Sequence, residues 1–265
     1  MGMKSAPSMG QGMGRVIAIA SRKGGVGKTT TAINLGACLA QMSRRVLIVD
    51  IDPQGNASSG LGINGNNRQY TIYEALLGHS ELSGTIVPTS LASLDLAPAG
   101  QRLSGAEVEL VGLLARETRF RACLAPVRDG YDYVLVDCPP SLGLLTVNAL
   151  TGSDSVLIPL QCEYLALEGL TSLMSAISLV QGHLNPELRI EGVLLTMYDA
   201  RLNLSQQVAE EARKFFSERV YKTVIPRNVK LSEAPSFGKP IVLYDAQSTG
   251  AESYRQLAQE VADHG

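Results

Sequence analysis

Seven short runs of apolar residues recur along the chain after about residue 15. Each run is rich in Val, Ile and Leu and is nearly continuous, without the alternation of apolar and polar positions of a half-buried strand. Such runs are typical of strands in a parallel sheet, because helices cover both faces of that sheet. We therefore predict strands at residues 16–21, 46–50, 94–97, 133–137, 155–159, 190–196 and 220–225.

The segments between these runs have the pattern of helices. Ser104 and Glu107 form a Ser-x-x-Glu capping box, which predicts that a helix begins there and runs towards Arg121. Gly182 and the Asn-Pro pair that follows it predict the end of a helix at residues 165–181. Further helices are predicted at residues 29–42, 204–217 and 251–263. Strands that alternate with helices predict an α/β fold, with a doubly wound, mostly parallel sheet and helices on both faces.

Composition limits the class of protein. The chain has 265 residues, of which 45% are hydrophobic, so a wholly disordered protein is excluded. Residues 1–14 are rich in Gly and Met, and we expect a disordered tail there, not a signal peptide. No linker or repeat divides residues 15–265, which we expect to form a single domain. No apolar run reaches the roughly 18 residues of a membrane span, and four cysteines without a CxxC pair indicate free thiols in a reducing cytoplasm.

The segment after the first predicted strand has the composition of a phosphate-binding loop. It reads Ser-Arg-Lys-Gly-Gly-Val-Gly-Lys-Thr-Thr over residues 21–30. Glycines allow consecutive backbone N–H groups to face phosphate oxygens, and the following helix N-terminus adds its dipole. Lys28 would bring positive charge to the β and γ phosphates, and the Thr29 hydroxyl would bind Mg²⁺. The predicted nucleotide-binding residues here are Gly24, Gly25, Val26, Gly27, Lys28, Thr29 and Thr30.

This loop departs from the usual GxxxxGK[ST] pattern, because Arg22 stands at the first glycine position and Lys23 follows it. It resembles the loop of the deviant Walker A ATPases, the family of ParA/Soj partition ATPases, MinD and the nitrogenase iron protein. The resemblance implies a P-loop NTPase fold and implies that Lys23 is the family's signature lysine. That lysine reaches the nucleotide of the partner subunit in an ATP-sandwich dimer and takes part in catalysis there.

Two aspartates follow the second predicted strand. A carboxylate beside a phosphate loop can orient the attacking water or a water bound to Mg²⁺, and the spacing alone does not rank Asp50 against Asp52. The Asp-Pro-Gln-Gly-Asn sequence that begins at Asp52 resembles the family's switch I motif and implies that Asp52 is catalytic. Asp50 then either caps a neighbouring loop or helps to hold the metal shell.

Asp137 ends the predicted strand Tyr-Val-Leu-Val and precedes Cys138 and a Pro-Pro pair. We interpret it as the Walker B aspartate, which would hold Mg²⁺ through water because Mg²⁺ loses its hydration shell reluctantly. The Pro-Pro segment resembles the family's switch II. Nothing in the sequence around Cys138 supplies a general base, so we interpret Cys138 as a packing residue.

The polar segment of residues 225–240 resembles ParA/Soj proteins closely, and the resemblance implies that Pro226 and Asn228 lie against adenine. An Asn amide can pair with the edge of this base, and the guanine signature Asn-Lys-x-Asp is absent. The sequence therefore favours ATP over GTP.

Basic residues concentrate in residues 201–239, which carry a net charge of +4, whereas the rest of the chain carries −6 and the whole chain −2. The balance excludes a wholly basic nucleic-acid-binding protein but allows a local basic patch. A solvated helix face explains the charges as readily as a DNA surface does. The resemblance favours DNA, since Arg201 and Lys230 match positions that Soj-type proteins use for non-specific binding to double-stranded DNA. Such contacts reach phosphates and read no bases.

The resemblance covers residues 15–265 and implies a ParA-type ATPase domain that segregates DNA in the cytoplasm, on the nucleoid. ATP and Mg²⁺ would be its cofactors, an ATP-bound homodimer would bind DNA, and a ParB-type centromere-binding protein would stimulate a weak ATPase activity. A MinD-like membrane-switch ATPase is the alternative, but residues 254–265 contain one Arg and no large apolar anchor, so we expect no membrane partner. An iron–sulfur protein would need spaced cysteine ligands, which the sequence lacks.

Overall fold

The computed structural model describes residues 13–163 and 166–263. These residues contain eight strands of one sheet, in the order β3-β4-β2-β5-β1-β6-β7-β8. The strands are β1 Arg15–Ile19, β2 Val46–Asp50, β3 Val87–Pro88, β4 Leu94–Ala97, β5 Tyr133–Asp137, β6 Ser155–Gln161, β7 Arg189–Tyr198 and β8 Val220–Pro226.

Seven of these strands run parallel, and β3 alone pairs antiparallel, with β4 at the edge of the sheet. Every residue of β2, β5 and β6 is buried, which explains their continuous apolar sequence. The predicted doubly wound, mostly parallel fold is confirmed. The sequence does not predict β3, because two residues that include a proline give no strand pattern, and proline in a sheet is confined to edges and strand starts.

Helices cover both faces of the sheet. One face packs against α3 to α8, and the other packs against α1, α2, α9, α10 and α11. No helix of the described ranges is long and apolar enough to cross a bilayer. The helices are α1 Lys28–Gln41, α2 Asn56–Gly60, α3 Ile72–Leu77, α4 Leu103–Val111, α5 Arg119–Arg128, α6 Leu144–Thr151, α7 Ala166–His183, α8 Asn203–Phe216, α9 Val229–Glu233, α10 Ile241–Tyr244 and α11 Thr249–Asp263.

The capping box predicted at Ser104 is wrong. Helix α4 begins one residue earlier and has no side-chain cap, and it ends at Val111, so the predicted continuation towards Arg121 is wrong as well. A capping box opens α3 instead, where Glu74 Oε2 accepts the Thr71 backbone N–H at 2.7 Å and Thr71 Oγ1 accepts the Tyr73 N–H at 3.3 Å.

Two predictions extend past the described residues. The helix predicted at residues 165–181 is α7, and residue 165 lies outside the described residues. Residues 1–12 of the predicted disordered tail also lie outside them.

Candidate functional site

The carboxyl ends of three adjacent strands bring most of the predicted site residues together. Strand β5 lies between β1 and β2, and both Ile19 and Asp50 pair with Asp137 in the sheet register. The phosphate loop (residues 21–27), the switch I loop (residues 52–58) and Asp137 therefore meet at one edge of the sheet. This is the edge at which open α/β sheets bind ligands.

The backbone of the phosphate loop depends on glycine. Gly25 has φ 75° and Gly27 has φ 92°, conformations that are strained for residues with a side chain. Gly27 is also the N-cap of α1, so the loop leads directly into the helix N-terminus. The Thr196 hydroxyl of β7 donates to the Val26 carbonyl at 2.8 Å and fixes the loop to a strand from the far half of the chain.

Lys28 carries positive charge into the site. The residue is only 7% exposed, and its Nζ donates to the Lys23 carbonyl at 3.3 Å. Burial lowers the pKa of Lys28, whereas the nearby carboxylates of Asp137 and Asp52 act in the opposite direction. An ammonium in this position can form a charge-assisted hydrogen bond to a phosphate oxygen.

Asp137 is fully buried, and neither of its carboxylate oxygens meets a donor in full hydrogen-bonding geometry. Burial raises its pKa and the charge of Asp50 raises it further, although the Thr29 hydroxyl and the Lys28 ammonium oppose the rise. Burial also raises the pKa of the adjacent Cys138 thiol, in keeping with a packing residue. A buried carboxylate without a partner is strongly unfavourable unless a cation neutralises it.

Mg²⁺ suits this position. The described residues contain no cluster of three or more acidic, His or Cys ligands. Mg²⁺ does not need such a cluster, since it usually binds through one or two carboxylates, phosphate oxygens and retained waters. Asp137 and the hydroxyl of Thr29 beside it therefore fit the predicted metal site.

Asp50 and Asp52 differ in their partners. Asp50 Oδ2 accepts the Ser58 N–H at 2.8 Å and the Ser58 hydroxyl at 2.6 Å, and Asp50 Oδ1 accepts the Asp52 N–H at 3.3 Å. Burial raises the pKa of Asp50 to about 6, against the effect of these donors. Asp52 Oδ1 accepts the Gln54 N–H at 2.9 Å. Asp50 therefore organises the loop, and Asp52 is held within it, 5% exposed.

A cavity of about 140 Å³ lies beside the phosphate loop, at the predicted adenine site. Gly27, Thr30, Pro226 and Asn228 line it. Asn228 caps α9 by accepting the Lys230 N–H at 2.8 Å, and its amide donates to the Thr249 hydroxyl at 2.8 Å. The Asn228 carbonyl oxygen is thus engaged, and one amide N–H is left for a base edge.

Lys23 is paired within its own chain. Its Nζ lies 3.6 Å from Glu163 Oε2, and the other oxygen of this carboxylate accepts a hydrogen bond from Arg227 at 3.3 Å. Glu163 thereby joins the phosphate loop, the end of β6 and the segment after β8. The side chains of Lys23 and Glu163 are 40% and 44% exposed.

The two residues predicted to bind DNA are exposed and paired with neighbouring acids. The Arg201 guanidinium forms a bidentate contact with Asp199 and lowers the pKa of that carboxyl to about 2. Lys230 Nζ donates to Glu233 at 2.9 Å and lies over the Tyr244 ring. Their positive charge is therefore partly neutralised within the subunit.

Three residues that hold the site together were not predicted from the sequence. Ser58, Glu163 and Thr196 each act through a contact with a distant segment or a neighbouring motif residue, and Thr196 is 170 positions from Val26. Ser58 lies close to the Asp-Pro-Gln-Gly-Asn motif, and this proximity is a signal that could have identified Ser58. No signal in the sequence points to the other two.

The chain is similar to known proteins in sequence and in fold. A family model described as an AAA domain matches residues 14–190. The chain is 60% identical over 253 residues to the sporulation initiation inhibitor protein Soj of Bacillus subtilis, covering 96% of this chain and all of that protein. It is 58% identical to the chromosome partitioning protein ParA of Myxococcus xanthus, covering 94% of this chain and 88% of that protein.

Among solved structures, the chain resembles cobyrinic acid a,c-diamide synthase from Mycobacterium smegmatis with bound ADP and magnesium. The TM-score is 0.84 and the sequence identity 38%, over 95% of each chain.

Proposed function

The chain belongs to the Soj/ParA family of chromosome-partitioning ATPases, and from this premise we propose a mechanism for its DNA segregation cycle. The protein is an ATPase that uses ATP and Mg²⁺. The observation that carries the proposal is the buried Asp137, whose carboxylate oxygens meet no donor in full hydrogen-bonding geometry, at the strand edge where a glycine loop and a buried lysine also lie.

Each side chain has a role in hydrolysis that its geometry permits. The backbone N–H groups of residues 24–30 bind the phosphates, and Lys28 balances their charge. Thr29 and Asp137 would hold Mg²⁺, Asp137 through a water molecule. Bound Mg²⁺ would neutralise charge on the β- and γ-phosphate oxygens. Asp52 orients the attacking water, while Pro226 and Asn228 contact adenine.

We further propose that the active form is an ATP-sandwich homodimer of the domain at residues 15–265. Lys23 leaves Glu163 in this dimer and reaches the nucleotide of the partner subunit. The half-exposed position of Lys23 supports the proposal, because an exposed side chain can change partners without breaking the core.

The dimer binds double-stranded DNA of the nucleoid through Arg201 and Lys230, without reading its sequence. A ParB-type partner stimulates hydrolysis and so releases the dimer. Both basic side chains are exposed, which supports contacts to phosphates.

Replacement of Asp52 tests the proposal. We expect Asp52→Ala to bind ATP and form dimers but to hydrolyse ATP at least ~100-fold more slowly, because the water is no longer oriented. Single-turnover hydrolysis and light scattering measure the two properties, and Asp129→Ala, at an exposed turn, is the control. Normal hydrolysis by Asp52→Ala would refute the role of Asp52.

A further inference from the structure

Ser58 lies between the switch I loop and the segment that follows β4. Its hydroxyl donates to Asp50 Oδ2 at 2.6 Å and accepts the Ala99 N–H at 3.0 Å. Its own backbone N–H donates to the same Asp50 oxygen at 2.8 Å. The residue is 2% exposed, and Asp50 and Ala99 are equally buried. All three hydrogen bonds are therefore shielded from water, where such bonds are strongest.

These hydrogen bonds fix the switch I loop to Asp50 on one side and to the segment after β4 on the other. Asp50 receives the N–H groups of Asp52 and Ser58, so one carboxylate fixes both ends of the loop. Gly55, with φ 62°, makes the turn between them and is the N-cap of α2. The hydroxyl of Ser58 is the only side-chain group of the loop that the described contacts join to the backbone after β4.

We propose that Ser58 is a positioning residue for ATP hydrolysis. It acts through Asp50 and Ala99 to hold the switch I loop, and with it Asp52, at the distance from the phosphates that hydrolysis needs. The inference rests on the proposed role of Asp52. Ser58 is buried and its hydroxyl is bonded to Asp50 and Ala99, so its loss should affect the rate of hydrolysis and not the binding of ATP.

The neighbouring residue offers a matched control. Ser59 lies on the same helix, but it is exposed and its hydroxyl returns to the Asn56 carbonyl at 3.3 Å. Ser58→Ala and Ser59→Ala therefore remove the same atom from adjacent positions. Only the first change removes a contact to Asp50.

The test compares equilibrium ATP binding with single-turnover hydrolysis, well below the melting temperature of each variant. We expect Ser58→Ala to bind ATP within about twofold of the unchanged protein and to hydrolyse it about 10- to 100-fold more slowly, since small displacements of a catalytic group have effects of this size. Ser59→Ala should retain both properties. Ser58→Thr keeps the hydroxyl and should recover most of the rate, even if Ser58→Ala proves too unstable to measure.

Three results would overturn the inference. Ser58→Ala could hydrolyse ATP as fast as Ser59→Ala, or it could lose ATP binding and hydrolysis in equal proportion, which indicates general damage. A Ser58→Thr variant that binds ATP but hydrolyses it no faster than Ser58→Ala would show that the hydroxyl is not the group that matters. Asp52→Ala, measured alongside, separates the two proposals: if it blocks hydrolysis while Ser58→Ala does not, only the role of Ser58 fails.

Discussion

At the scale of single residues, Asp132 and Asp137 lie at opposite ends of β5 and have opposite effects on the stability of the fold. Asp132, just before the strand, accepts hydrogen bonds from the side chain and backbone of Arg45, and the side-chain bond chiefly lowers its pKa. Asp137, at the other end, has a raised pKa because it is buried. The ionised form of Asp132 therefore stabilises the fold, and the ionised form of Asp137 destabilises it until a cation arrives.

This contrast predicts how Asp137→Asn behaves without nucleotide. An unpaired buried polar group costs about 1–3 kcal/mol and a charged one more, so removal of the charge should raise the melting temperature by about 2–6 °C near pH 8. Because the folded-state pKa of Asp137 is raised, its destabilising effect is absent below about pH 4 and grows as the pH rises from there towards the folded-state value. The gain should therefore shrink towards low pH.

Differential scanning fluorimetry at several pH values measures this effect. Asp132→Asn is the control and should lower the melting temperature near neutral pH. An equal gain for Asp137→Asn at low and high pH would show that burial of its charge is not the cause.

Local chemistry is enough to single out part of the candidate site from the sequence. The glycine loop, Lys28 and the strand-end Asp137 follow from residue type and spacing, whereas the choice of Asp52 needed the family resemblance. Glu163 and Thr196 could not be predicted, because both contact the phosphate loop, which is at least 140 positions away along the chain and which only the folded sheet brings close.

At the scale of elements, strands are easier to predict than helix starts. Strands β2, β4 and β5 begin and end where the predicted runs do, and in β2 and β5 burial on both faces leaves a continuous apolar signal. A capping box is a four-residue pattern, and Ser104 shows that this pattern alone does not determine where a helix begins. Helix α4 begins at Leu103, whose side chain is fully buried. Packing of Leu103 therefore determines the helix start, and the side-chain cap expected from Ser104 does not form.

Thr71 and Ser104 therefore form a matched pair. We expect Thr71→Ala to lower the free energy of unfolding by about 1 kcal/mol, the usual cost of losing an N-cap. Ser104→Ala should change it by less than about 0.5 kcal/mol, as exposed substitutions do. Chemical denaturation measures both, and ATP affinity should stay the same. A larger loss of stability in Ser104→Ala would indicate that Ser104 does cap α4, contrary to the structure.

At the scale of the whole molecule, net positive charge is concentrated in residues 201–239, the segment that follows β7 and contains β8. Arg201 follows β7 and Lys230 follows β8, while the remainder of the chain is acidic. DNA phosphates can replace Asp199 and Glu233 as partners, and counterions released from the DNA favour the exchange. An acidic remainder would repel DNA elsewhere on the surface.

The double variant Arg201→Ala with Lys230→Ala tests this surface. It should lose ATP-dependent co-sedimentation with DNA and retain ATP binding, and the slope of log affinity against log salt should fall by about 0.9 for each lost phosphate contact. Arg189→Ala, an equally exposed change at the opposite end of β7, should bind DNA normally. An unchanged salt slope in the double variant would place the DNA surface elsewhere.

The pair between Lys23 and Glu163 has a consequence for the timing of assembly. Half-exposed ion pairs contribute about 0.2–1 kcal/mol, which corresponds to a factor of about 1.4 to 5 in an equilibrium constant. Lys23 is therefore held near the phosphate loop without being locked there. In the proposed dimer, Lys23 leaves Glu163 for the nucleotide of the partner subunit. The step that limits this change of contact would be the association of two ATP-bound subunits, not the breaking of the ion pair.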